Sequence, residues 1–163
     1  MPWPGPCRGA DGRQEVEGGW LAGLGEEYYA GVIYSGGREN TNVAYALVMT
    51  AEVRAWLHDL RHGDRASAIL VGQAIGMLIE AGPELGRPLA DRVHHSRLAN
   101  LKELRPGSAG RSEIRILYVF DPKRNAVLLV AGDQAGQWES WYRKAIPLAE
   151  ERYELYLKQE GHR

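Results

Sequence analysis

The sequence predicts a small α+β domain, ordered β-α-α-β-β-β-α, in which a helical hairpin and a C-terminal helix pack on an antiparallel sheet. Three observations carry this reading. Residues 98–133 hold three apolar runs separated by turn residues. Residues 50–82 hold two stretches of helical period joined by a short connection, and a third such stretch closes the chain. Strands in one block and helices in others point to an α+β arrangement rather than to alternating β-α units.

The first strand expected is Val43 to Met49, a strongly apolar run. Thr50 then caps a helix in which Val53, Trp56, Leu57 and Leu60 fall at i, i+3, i+4 and i+7. Gly63 ends it and Asp64 opens a second helix, with Ala66, Ile69, Leu70, Ala74, Met77, Leu78 and Ala81 assigned to its apolar face. Gly82 and Pro83 mark its end. Pro88 to Ser96 is expected as an exposed link. The next strand runs from about Leu98 to Arg105 and stops at Pro106-Gly107. Glu113 to Phe120 and Ala126 to Ala131 follow across short loops, so the three strands should form an antiparallel meander. Ile146-Pro147 is expected to open the last helix, with Ile146, Ala149, Tyr153, Tyr156 and Leu157 as its stripe.

Residues 1–42 do not read as part of the domain, which is expected to span residues 43–160. Ten of the first forty residues are glycine and no periodicity persists, so a flexible extension is expected. A start of translation near Val43 is the sharper expectation. Cys7 is the single cysteine, which excludes an internal disulfide and a cysteine-rich zinc site and fits a cytoplasmic protein. No run of 18 consecutive apolar residues is present, so no membrane span is expected.

The formal charge of −1 hides an uneven distribution. Residues 1–48 carry three basic against six acidic side chains, whereas residues 92–124 carry eight basic against three acidic. The basic stretch suits a phosphate-rich partner, because contacts depend on local charge. Lys102, Arg105, Arg111 and Arg115 lie on or beside the first two strands of the meander. The guanidinium fork matches phosphate oxygens and stays charged at any working pH. Arg105 and Arg115 sit on neighbouring strands and can converge on one phosphate; the alternative is cross-strand pairing with Glu103 or Glu113. Glu103 and Arg105 share a face and Lys102 points to the other. Glu103 is either a general base or a structural partner for Arg105. His58 and His62 have the spacing of a helical metal pair but lack a third ligand, so no metal and no cofactor is expected.

LKELRPGSAGRSEIRILYVFD, followed by LLVAGDQAGQWESWYRKAIPLAEERY, resembles the RelE/HigB-type toxins of bacterial type II toxin–antitoxin pairs, in their phage-derived branch. The carriers are KELR at 102–105, RILY at 115–118 and the Gly-containing turn before the terminal helix, and the resemblance covers about residues 43–160. It implies a RelE-like fold and a metal-independent endoribonuclease that cleaves mRNA, often on the ribosome, silenced by a helix-turn-helix antitoxin. Arg115 matches the arginine that the family uses on this strand. Tyr142, Arg143 and Lys144 lie near its C-terminal aromatic and basic positions, Tyr142 to relay a proton or stack a base and the two cations to bind RNA. Gln134 stands where relatives place lysine. Trp138 and Trp141 are expected in the core. Two readings compete with the nuclease: a toxin of this fold that only binds a protein partner, and an inactive relative.

Overall fold

The structure, a computed structural model, describes residues 29–31 and 45–161. The strands are β1 (Tyr29–Gly31), β2 (Leu47–Met49), β3 (Ala90–Arg92), β4 (Lys102–Leu104), β5 (Ile114–Phe120) and β6 (Ala126–Asp133). The helices are α1 (Ala51–Gly63), α2 (Arg65–Ala81) and α3 (Trp138–Gly161), with one 3-10 turn at Gly82–Glu84. The six strands form one sheet in the order β1-β2-β6-β5-β4-β3.

The α+β class and the β4-β5-β6 meander match expectation. The sheet, however, is mixed rather than antiparallel. β2 lies parallel to β6, with Leu47, Val48 and Met49 opposite Ala126, Val127 and Leu128. The chain reaches β6 only after two helices and three further strands, and so long a connection permits parallel pairing. Two strands were not expected. β3 falls in the stretch assigned to an exposed link, and of its three residues only Ala90 is buried, so Asp91 and Arg92 hide the pattern. β1 falls inside the expected extension and pairs antiparallel with β2. The rest of that extension, and Val43 itself, lie outside the described residues.

Strand alternation supplies two apolar faces, and each is covered. Leu47, Met49, Leu104, Ile114, Ile116, Tyr118 and Leu128 pack under the α1–α2 hairpin. Val48, Leu101, Leu117, Val119, Val127 and Leu129 pack under α3 with Ala145, Ala149, Tyr153 and Tyr156. A bulge lies opposite Leu117/Tyr118 and puts both Leu129 and Val130 on the α3 side. The Leu129 carbonyl accepts from Arg152 Nη1 at 2.7 Å and Thr50 Oγ1 at 3.4 Å.

The caps behave as the sequence indicates. Thr50 Oγ1 accepts from Val53 N, and Asp64 both closes α1 through its own N–H and caps α2 through its carboxylate on Ser67. Gly82 has φ of 62°, and a Cβ there would lie 2.1 Å from the Tyr45 ring, so only glycine fits. The buried face of α2 is Ser67, Val71, Ala74, Ile75, Leu78 and Ile79, rotated from the expected one; Ala66 and Met77 are exposed. The helix is apolar almost all round, so periodicity alone did not choose a face. With the turn that follows, Arg65–Glu84 is long and apolar enough to cross a membrane by composition. Its inner face is nonetheless seated in the hairpin-side core.

α3 begins two turns earlier than expected, at Trp138, and Pro147 stands inside it. Trp141 N donates to the Gln137 carbonyl, so the helix is already formed there. Proline interrupts one helical bond, that to the Arg143 carbonyl. Pro147 and Arg143 are both exposed, which leaves that carbonyl on the water side. The earlier start puts Tyr142 on the same stripe as Ala145, Ala149, Tyr153 and Tyr156.

Candidate active site

The site lies on the α3 face of the sheet, at the end where β4 and β5 approach their connecting loop. Strand parity decides its membership. Leu104 turns under the hairpin, so Glu103 and Arg105 turn toward α3, and Glu103 sits opposite Leu117 on β5. Arg115, two residues before Leu117, shares that face. Its cross-strand partner is Gly132. A Cβ on Gly132 would lie 2.6 Å from Trp141 Nε1, so the missing side chain is what lets the first turns of α3 lie against the sheet. Tyr142 is thereby carried over Glu103.

Glu103 is 3% exposed and fully engaged. Its Oε1 accepts from Arg105 Nε at 2.7 Å and Nη2 at 2.6 Å. Its Oε2 accepts a short hydrogen bond from the Tyr142 hydroxyl. Arg105 also reaches Asp91 of β3 at 3.4 Å, and Asp91 is held at 2.7 Å by Arg87. Burial disfavours the Arg105 charge, but Glu103 and Asp91 outweigh it and hold the guanidinium above its ordinary range. Asp91 is held below the usual carboxylate range by Arg87 and the Arg92 amide.

Burial, and then the hydrogen bond to Glu103, push the Tyr142 phenol well above its ordinary value; Arg115 offsets part of this. The phenol therefore remains protonated at neutral pH. Arg115 is fixed from two sides. Nη1 donates to the Ile114 carbonyl at 2.8 Å. With the Gln134 amide oriented oxygen-first, that oxygen accepts from Arg115 Nε at 3.2 Å and Nη2 at 3.1 Å. A guanidinium has five donors, and Arg115 also hydrogen-bonds the Tyr142 hydroxyl, so one N–H remains for a ligand.

Glu103, Arg105, Arg115 and Tyr142, the four candidates for catalysis, are thus brought together. The RNA-binding candidates are not one cluster. Lys102 turns to the other face and donates to the Pro83 carbonyl at 2.9 Å, so it stands apart from the site. Arg111 is exposed in the β4–β5 loop, and Arg143 and Lys144 are exposed beside Tyr142 on α3. His58 and His62 lie with their Nε2 atoms 3.3 Å apart on α1, outside the site, and among the described residues no third ligand joins them. His94 and His95 are exposed.

Sequence reasoning missed Asp91 and Arg87, because β3 was not anticipated. It treated Gln134 as a lost cation, whereas Gln134 is buried against Arg115. The expectation that both tryptophans are core also fails. Trp141 is half-buried, but Trp138 is 60% exposed. It packs edge-on to Tyr142 with ring centroids 5.7 Å apart, and Trp141 does the same at 5.0 Å.

Residues 55–154 match the family described as Phage derived protein Gp49-like. A protein of Mycobacterium tuberculosis (strain ATCC 25618 / H37Rv) with the provisional name toxin HigB2 is 51% identical over 107 residues, 66% of this chain and 52% of that protein. A second from the same strain, provisionally named toxin HigB3, is 46% identical over 115 residues, 71% of this chain and 96% of that protein. The chain therefore spans about half the length of the first relative and nearly all of the second. No solved structure matches. The matched region contains every residue of the site just described, and the chain belongs to the phage-derived Gp49-like family of HigB-like toxins.

Proposed function

We propose that this toxin is a metal-independent endoribonuclease that cleaves mRNA at the ribosome and is silenced by a helix-turn-helix antitoxin. The observation that carries the reading is the Tyr142–Glu103 hydrogen bond, set between two anchored guanidinium groups. RNA cleavage needs a proton removed from the ribose 2′-hydroxyl, charge stabilised on the phosphate, and a proton supplied to the leaving 5′-oxygen.

Glu103 is buried with both oxygens occupied, so a substrate hydroxyl meets Tyr142 first. In this reading the 2′-oxygen attacks phosphorus while its proton passes to Tyr142 Oη. The phenol's own proton moves at the same moment to Glu103 Oε2. The P–O5′ bond breaks, the 5′-oxygen takes a proton from water, and the proton held on Glu103 returns through Tyr142 to the hydroxide so formed. The products are a 2′,3′-cyclic phosphate and a 5′-hydroxyl end. Arg115 donates its remaining N–H to the phosphate as charge builds, and Arg105 balances Glu103 whenever that carboxylate is ionised.

The test maps RNA 5′ ends after incubation of the toxin, Glu103→Gln and Tyr142→Phe with translating ribosomes. New 5′-hydroxyl ends are expected from the wild type. Both variants should fall at least a hundredfold, the range of a lost general base. Growth arrest by the wild type without new RNA ends would favour the reading in which the toxin only binds a protein.

A further inference from the structure

We propose that Trp138 is a base-stacking platform that grips an unpaired nucleobase next to the scissile phosphate. This rests on the ribonuclease reading for its neighbour, but not for its own contact. Trp138 is the most exposed of the large apolar side chains among the described residues, at 60%. It contributes little to the core: neither apolar cluster includes it. Its indole is nonetheless held. It lies one turn before Tyr142 on α3 and meets that ring edge-on at an interplanar angle of 72°. Tyr142 is pinned by Glu103 and also meets Trp141 edge-on, and Trp141 lies against Gly132.

The result is an indole face open to water, fixed in direction by a run of three rings, and adjacent to the group that would meet the 2′-hydroxyl. Every base offers a π-face, so such a platform binds single-stranded RNA with little sequence preference. Arg143 and Lys144 are exposed on the next turn, which provides cations for the flanking phosphates. A base paired in a duplex cannot reach this face, so the platform selects for unpaired substrate. A protein segment is the other conceivable occupant. Its direct contact with Tyr142 favours RNA.

The test uses the full chain and an unstructured oligoribonucleotide with 2′-O-methyl sugars, which cannot be cut. Its affinity is read by fluorescence polarisation for the wild type, Trp138→Ala and Trp138→Phe. A second series replaces one base at a time with an abasic site. Trp138→Ala should weaken binding by about tenfold and Trp138→Phe by much less, as expected for one stacked base. At one position the abasic oligonucleotide should bind wild type and Trp138→Ala equally, since the partner of the indole is gone. Equal affinity of wild type and Trp138→Ala for the intact oligonucleotide overturns the proposal, as does absence of wild-type binding. Weakened antitoxin binding by Trp138→Ala, with RNA affinity unchanged, assigns the indole to a protein instead. Trp138-dependent binding without cleavage by the wild type would leave the platform standing and remove the nuclease reading. Cleavage with no effect of Trp138→Ala in either series would do the reverse.

Discussion

Arg115 is held by its own strand at one end and by a neighbouring loop at the other. The Ile114 carbonyl takes one donor and the Gln134 amide oxygen takes two, so the guanidinium is aimed before any ligand arrives. A donor fixed in advance stabilises developing charge without reorganising, and losing one such group costs on the order of 3 kcal/mol, about a hundredfold in rate. Arg115→Ala should therefore fold, bind its antitoxin and lose most mRNA cleavage. Arg115→Lys should recover only a small part, because an ammonium cannot address both the Gln134 oxygen and a phosphate as the fork does. The checks are 5′-end mapping in a translation extract and a thermal melt of each variant. Full cleavage by folded Arg115→Ala would take this residue out of the mechanism. The residue types at this scale were readable in advance, since KELR and RILY contain three of the four site residues. The role of Gln134 was not, because a neutral amide in a loop has meaning only once its oxygen is seen facing a guanidinium.

At the scale of elements, the site depends on where α3 starts. The sequence places a proline where helices favour one, at a first turn, and that pattern pointed to Ile146. Tertiary packing decided otherwise: Trp141 and Tyr142 gain contact with the sheet only if the helix is already formed at Trp138. The meander was legible because each strand is dense in β-formers and each loop in turn residues. β3 was not, because three residues with one buried side chain carry no periodicity, and only pairing with β4 defines it. The contact that seats α3 can be tested directly. In Gly132→Ala the added methyl meets Trp141 at 2.6 Å, too close to be absorbed without moving the indole. Overpacking of this kind costs about 1–3 kcal/mol. A cooperative but lowered melt is expected, with cleavage reduced at least tenfold because Tyr142 moves with Trp141. Unchanged cleavage and an unchanged melt would show that α3 is not positioned through this contact.

Across the whole molecule, α3 is tied at its middle to the loop between β3 and β4, and Glu150 makes the tie. Its Oε1 accepts from Ser96 Oγ at 2.9 Å and from Arg97 N at 2.7 Å, and its Oε2 accepts from Arg97 Nε at 2.8 Å. This latch sits two turns beyond Tyr142, so it helps hold the helix that carries one half of the site against the strands that carry the other. The Arg97 hydrogen bond, with smaller help from the Arg97 amide and Ser96, outweighs burial and holds the Glu150 carboxyl below its ordinary value of 4.5. A carboxyl whose folded pKa lies below its unfolded one stabilises the fold above the unfolded value, and that contribution is lost as pH falls through the folded value. Glu150→Gln keeps the shape and removes the charge. At pH 7 its melting temperature should therefore lie several degrees below that of the wild type. The gap should narrow as pH drops below about 4.5 and close once the wild-type carboxyl is itself protonated. Melting curves of both proteins from pH 7 to pH 3 measure this gap. A constant difference across the range would mean that the amide's shape, not the charge, accounts for it, and a latch built on ionised Glu150 would then have to be abandoned.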